Sequence, residues 1–197
     1  MPLENLIPLL VFAGVLVSTP GPANMLMLAA GARDGVRRSL PLLAGTIFGK
    51  TFVHLGLAAG LWGVIDKFPS VLSAMKIAGA VYVLWLARQI LRIKIQGQTD
   101  ASRIGFWRGL LVHPLNPKAW AMVVSAYGQF IDARGDWWTQ VFVVWLAFFG
   151  WQCLAQTFWC WCGARAAQFL SGARAEKFLM HFLAALMVGA VLWALIN

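Results

Sequence analysis

Ser18-Thr19-Pro20-Gly21-Pro22-Ala23-Asn24 interrupts the first apolar stretch of the chain near its middle, and His113-Pro114-Leu115-Asn116-Pro117-Lys118 interrupts the fourth. Each interruption pairs helix-breaking proline with a polar amide, Asn24 or Asn116. Proline removes a backbone donor and frees a carbonyl in the preceding turn. Hydrocarbon has no water to satisfy such groups, so these breaks survive only where protein or a wet cavity covers them. Paired broken helices in the two halves of a membrane chain point to a binding site between them.

The composition fixes the class. Of 197 residues, 60% are hydrophobic and 12% charged, against about 45–50% apolar and about 25% charged in soluble domains. Apolar spans lie near residues 6–28, 40–65, 68–91, 106–131, 138–162 and 178–196. These are bilayer-crossing lengths, so the chain reads as an all-α membrane protein of about six transmembrane helices, with helices 1 and 4 broken at proline. They form one domain over 1–197, with no space for a soluble catalytic domain. The N-terminal Met1-Pro2-Leu3-Glu4-Asn5 lacks the basic region of a cleaved signal peptide, so the first span is expected to be retained.

The net charge is +9, carried mostly in loops that set orientation and meet anionic lipid. No basic surface domain exists to hold nucleic acid. Cys153, Cys160 and Cys162 share one apolar stretch, with neither a disulfide framework nor metal-ligand spacing. No catalytic set, metal site or cofactor site is predicted.

Basic residues cluster on one side. Arg33, Arg37 and Arg38 fall in loop 1–2, Arg88, Arg92, Lys94, Arg103 and Arg108 around loop 3–4, and Arg165, Arg174 and Lys177 around loop 5–6. Only Lys67 and Arg134 fall opposite. The positive-inside rule then places both termini outside. The longest polar connection, 95–102, divides the chain into repeats of about 1–94 and 103–197. Three spans per half make the repeats inverted. Gly79-Ala80-Val81-Tyr82-Val83-Leu84-Trp85 also faintly matches Gly189-Ala190-Val191-Leu192-Trp193.

Asn116 before Pro117 is an N-cap followed by the favoured first helical residue. A helix restarting there aims free amides and a positive dipole end into the membrane, and Lys118 adds a full charge. That suits an anionic group such as a carboxylate. Pro22 starts a helix in the same way, with Asn24 in its first turn. A pair of purely structural kinks is the alternative.

Span 2 carries Gly45, Gly49, Gly56, Gly60 and Gly63 on one stripe, where a neighbouring helix or a second copy in a homodimer can approach closely. Lys50 and His54 lie four apart on another face. A lysine at that depth is costly and functional by default. The pair is read as handling protons or facing substrate, with a packed, hydrogen-bonded His54 as the alternative. Lys76 is close enough to a span end to snorkel, and His113 is a candidate gate. Gln152 and Gln156 share a face and either hydrogen-bond a ligand or join helices. Trp137 and Trp138 look like interfacial anchors. The membrane interior holds lysines and no carboxylate, which disfavours a cation and favours a zwitterion or an anion.

These motifs carry a resemblance. Thr19-Pro20-Gly21-Pro22-Ala23-Asn24, Gly45 and Gly49, Lys76-Ile77-Ala78-Gly79-Ala80-Val81-Tyr82, Asn116-Pro117-Lys118-Ala119 and Gln129-Phe130 are similar to segments of the LysE/RhtB family of bacterial amino-acid exporters, over nearly the whole chain. The resemblance implies secondary efflux of amino acids or close derivatives across the inner (plasma) membrane, coupled to protons. It also implies that 20–24 and 116–118 line the pathway. Exporters of arginine and lysine in that family carry acids at the positions of Lys50 and Met122. The resemblance is therefore to the RhtB-like branch, whose substrates are neutral or small and polar.

The expected site comprises Pro20, Gly21, Pro22, Asn24, Asn116, Pro117, Lys118, Gln152 and Gln156 for substrate, with Lys50 and His54 for proton coupling. Transport is expected to proceed by rocking of the two repeats. A membrane thiol or electron-transfer oxidoreductase is the competing reading. It needs reactive cysteines beside the breaks, and neither break contains one.

Overall fold

The computed structural model describes residues 3–60, 67, 69–91, 105–132, 134–169 and 173–196. All regular structure among them is helical. After a 3₁₀ turn at Leu3–Asn5 come α1 (Leu6–Ser18), α2 (Pro22–Ala58), α3 (Pro69–Leu91), α4 (Phe106–Val112), α5 (Pro117–Phe130), α6 (Trp137–Phe169) and α7 (Ala173–Ile196). By length and composition α2 and α6 can each cross a membrane, and shorter apolar helices run over Leu6–Ser18, Ile77–Leu91 and Lys177–Gly189. Gly63, Asp66, Arg92, Lys94, Arg103 and the 95–102 connection lie outside the described residues, as does the Lys76 side chain.

Both expected breaks are present. The first separates α1 from α2 at residues 19–21, and the second separates α4 from α5 at residues 113–116. The span boundaries differ from expectation. Helix persists from Pro22 to Asp34, beyond the predicted end at 28, and turns at Gly35, whose φ of 72° and ψ of 172° are non-helical. Only glycine adopts such a φ without steric cost. Helix therefore resumes at 36, before the expected start of the second span at 40. α6 runs to Phe169, past the predicted 162. Hydropathy falls there, but Ala164-Arg165-Ala166-Ala167 is a good helix former, and the Arg165 guanidinium stacks on Trp161 one turn back, 5.5 Å from its ring centroid. α7 likewise begins at Ala173 rather than 178.

The sequence halves interlock. α2 packs chiefly on α6 and α4, and α3 packs on α7, so each long helix finds its main neighbours in the other half. Two apolar cores result. One joins Met25, Leu26 and Met27 of α2 to Leu86 and Ile90 of α3 and to Leu183 and Met187 of α7. The other joins Leu9 and Ala13 of α1 to Val53, Val123 and Phe148.

Glycine sets the closest approaches. A Cβ on Gly31 would collide with the Cys160 carbonyl, and one on Gly163 with the Leu28 carbonyl, so α2 and α6 cross backbone to backbone. Gly45 and Gly49 meet the Phe106 and Leu110 carbonyls of α4, and Gly109 answers from the other side against Leu42. This part of the predicted stripe is therefore covered within the chain. Gly60 is an exposed turn residue with φ of 87°.

Candidate functional site

At the first break every carbonyl from Val15 to Pro20 finds a donor. The Thr19 backbone N–H donates to Val15 O and its hydroxyl to Leu16 O at 2.7 Å. The Asn24 amide donates twice, to Val17 O at 2.8 Å and Thr19 O at 2.9 Å. The Trp159 indole of α6 donates to Ser18 O at 3.2 Å, and Lys118 Nζ to Pro20 O at 3.3 Å. Side chains thus supply the donors that lipid cannot. Pro22 occupies the first turn of α2 and Asn24 follows within it, as expected.

The second break follows the capping rules. Asn116 Oδ1 accepts from the Lys118 backbone N–H at 3.1 Å, with Pro117 in the first turn of α5. Trp120 Nε1 donates to Pro114 O at 2.8 Å. Gly79 of α3 admits the Leu115 carbonyl where a Cβ would clash.

The two breaks face one another. Lys118 Nζ donates to Thr19 Oγ1 at 2.8 Å, and a Cβ on Gly21 would lie 3.3 Å from the same ammonium. A cavity of about 30 Å³, room for one or two waters, opens between them. Gly21, Pro22, Asn24, Asn116, Lys118 and Gln152 line it, together with Lys50. Lys50 is only 3% exposed. Its ammonium lies 5.2 Å from the Phe148 ring centroid, a cation–π contact. Among the described residues the lining holds two lysines and no carboxylate.

Sequence reasoning gave three further lining residues no substrate-contacting role. His113 is buried, and its Nε2 accepts from Gln152 Nε2 at 2.7 Å. Its Nδ1 has no partner. Thr19 and Met122 also line the cavity, beside the apolar Leu16, Val17, Ala23 and Ala119. The signal for Thr19 was its place in the first motif. Its bond to Lys118 joins residues 99 apart, which local patterns cannot reveal.

Several expected residues stand outside the lining. Pro20 contributes its carbonyl to Lys118, and Pro117 starts α5. Gln156 pairs through Oε1 with the Thr46 hydroxyl, between α6 and α2. His54 is 1% exposed, with both ring nitrogens unpartnered. It packs edge-on to Phe148 at 5.2 Å, and its carbonyl accepts from Tyr127 OH at 3.2 Å. Cys153, Cys160 and Cys162 are free thiols, and none of them borders the cavity.

The profile of the LysE type translocator family matches residues 14–196. The chain belongs to the LysE family. LysE translocators are membrane proteins, in keeping with the two long apolar helices. This LysE member is 33% identical over 114 residues to a cysteine/O-acetylserine efflux protein of Klebsiella pneumoniae subsp. pneumoniae, covering 57% of this chain and 58% of that protein. It is 31% identical over 137 residues to a leucine efflux protein of the same organism, covering 66% and 65%. The matches therefore span less than two thirds of those relatives' lengths. No solved structure matches.

Proposed function

We propose that the chain is a secondary transporter that exports a neutral or weakly acidic amino acid, or a close derivative, from the cytoplasm in exchange for protons. The observation that carries this reading is the Lys118–Thr19 bond, which brings both broken helices to one polar cavity. The efflux function named for the relatives points the same way. The substrate carboxylate docks at the start of α5, where the positive dipole end of the helix and the Lys118 ammonium face it. Gly21, Pro22, Asn24, Asn116 and Gln152 shape the pathway, Pro20 and Pro117 hold the breaks open, and Gln156 fixes α6 on α2. Lys50 and His54, one helical turn apart, couple protons.

The protein resides in the bacterial inner membrane with both termini outside, as six spans in two inverted repeats. Span 1 comprises α1 and residues 22–34, span 2 residues 36–58, and span 4 α4 with α5. Because the halves interlock along α2 and α6, alternating access works by bending at the breaks more than by rocking whole repeats.

The test is accumulation of each amino acid outside cells fed dipeptides, with and without expression. Export of at least one that requires expression, and is lost in Lys50→Ala and Lys118→Ala proteins still present in the membrane, supports the reading. Wild-type export by both variants refutes it.

A further inference from the structure

The cavity is unbalanced in charge. Lys50 is buried against the Phe148 ring and lines the cavity, and no carboxylate among the described residues pairs with it. Lys118 meets only a hydroxyl and a carbonyl. A buried cation without a counter-charge is costly, and a ligand that supplies the charge is favoured in proportion. The carbonyls of residues 15–20 each already accept one protein donor, which leaves a substrate ammonium only their second lone pairs. The acceptors that remain, such as the side-chain oxygen of Asn24, are neutral dipoles. The rest of the wall, Leu16, Val17, Ala23 and Met122, is apolar.

A zwitterion brings one negative and one positive group, and would place a third cation among two lysines. We infer that the solute recognised between Lys50 and Lys118 is a small carboxylate whose amino group is absent or acylated, so that it arrives as a net anion. This rests on the cavity being the transport site. Lys50 sets the preference: its charge attracts the anion and repels the ammonium of a free amino acid.

Matched pairs test it. O-acetyl-L-serine and N-acetyl-L-serine contain the same atoms, but only the first carries an ammonium. Leucine and N-acetyl-leucine form a second pair. Transport of each is measured with purified full-length protein in proteoliposomes, at a pH that keeps the O-acetyl isomer's amine protonated and so blocks acyl migration. The N-acyl member of each pair should be carried at least tenfold more efficiently. Because a Lys50 variant is expected to lose export, its ratio is read from binding of the two members to the purified protein, and Lys50→Met should lower that binding ratio at least tenfold. Equal or better transport of the free amino acids overturns the inference and leaves the exporter reading standing. An unchanged binding ratio in a Lys50→Met protein that elutes as a single species also overturns it. If that variant does not fold, the wild-type ratio decides alone. Absence of transport for these four compounds and for cysteine removes the exporter reading, and this inference with it.

Discussion

Lys118 Nζ and Thr19 Oγ1 stand 2.8 Å apart, although 99 residues of chain separate them. The bond ties the start of α5 to the end of α1. It also fills, with a neutral hydroxyl, the place at which a carboxylate would meet the ammonium.

Removing the Lys118 charge is expected to abolish most transport. Charge-assisted hydrogen bonds contribute about 1.5–3 kcal/mol, so Lys118→Met should lower efflux about ten- to a hundredfold. Thr19→Ser keeps the hydroxyl and should retain wild-type rates. Efflux from preloaded vesicles measures both. A Lys118→Met protein with normal rates would remove the lysine from the pathway.

Asn24 has a structural duty that its position in a transport motif hides. Its two N–H bonds to Val17 O and Thr19 O are lost in Asn24→Ala. Each orphaned buried carbonyl costs about 1–3 kcal/mol. Asn24→Asp should be worse, because a carboxylate faces two carbonyls with nothing to donate. Thermal midpoints in detergent should fall in the order wild type, alanine, aspartate.

The α2–α6 crossing predicts a contrast among glycines. Gly31→Ala and Gly163→Ala force a methyl into a backbone carbonyl, and overpacking of this kind costs about 1–3 kcal/mol. Gly128→Ala and Gly150→Ala meet nothing within 4 Å and should match or slightly exceed the wild type, since alanine favours helix. Equal melting of all four variants would show that the crossing is looser than described.

Asp136 precedes α6, outside the spans, and its carboxylate accepts the Thr139 backbone N–H at 2.7 Å. Hydrogen bonds from the Thr139 side chain and backbone hold its pKa below the ordinary carboxylate range. A depressed folded pKa means that the stabilisation is present above the unfolded value, near 3.9. It is lost as pH falls through the lower folded value. Thermal midpoints of wild type and Asp136→Asn should therefore converge on acidification below about pH 4, and an unchanged gap would deny the cap its charge.

Features governed by neighbours in sequence were legible. Pro22 and Pro117 start helices, and Asn116 caps Lys118, because capping involves only residues two or three apart. That Asn24, Asn116 and Lys118 share one cavity followed from polar groups having to share whatever wet space a bilayer-embedded chain encloses, whereas Lys50 was paired in sequence with His54, which lies outside the lining. The turn at Gly35 lies inside the loop expected between residues 28 and 40, but that loop was drawn too wide, because the charged Arg33, Asp34, Arg37 and Arg38 continue the helices on either side of it. The end of α6 was misplaced because apolar character stops before helix propensity does. The sequence assigned no role to the indole donors Trp159 and Trp120. Their bonds to Ser18 O and Pro114 O depend on how helices meet in space. The same holds for Thr46, which draws Gln156 into an interhelical contact.

The reciprocal seating of Gly31 on Cys160 and of Gly163 on Leu28 leaves no slack for sliding at one end of the α2–α6 pair. Gly14 of α1 meets the same α6 through the Trp151 ring, a side chain that can swing aside. α2 and α6 therefore move as one piece, and a shift of α1 against them is taken up at the Trp151 ring.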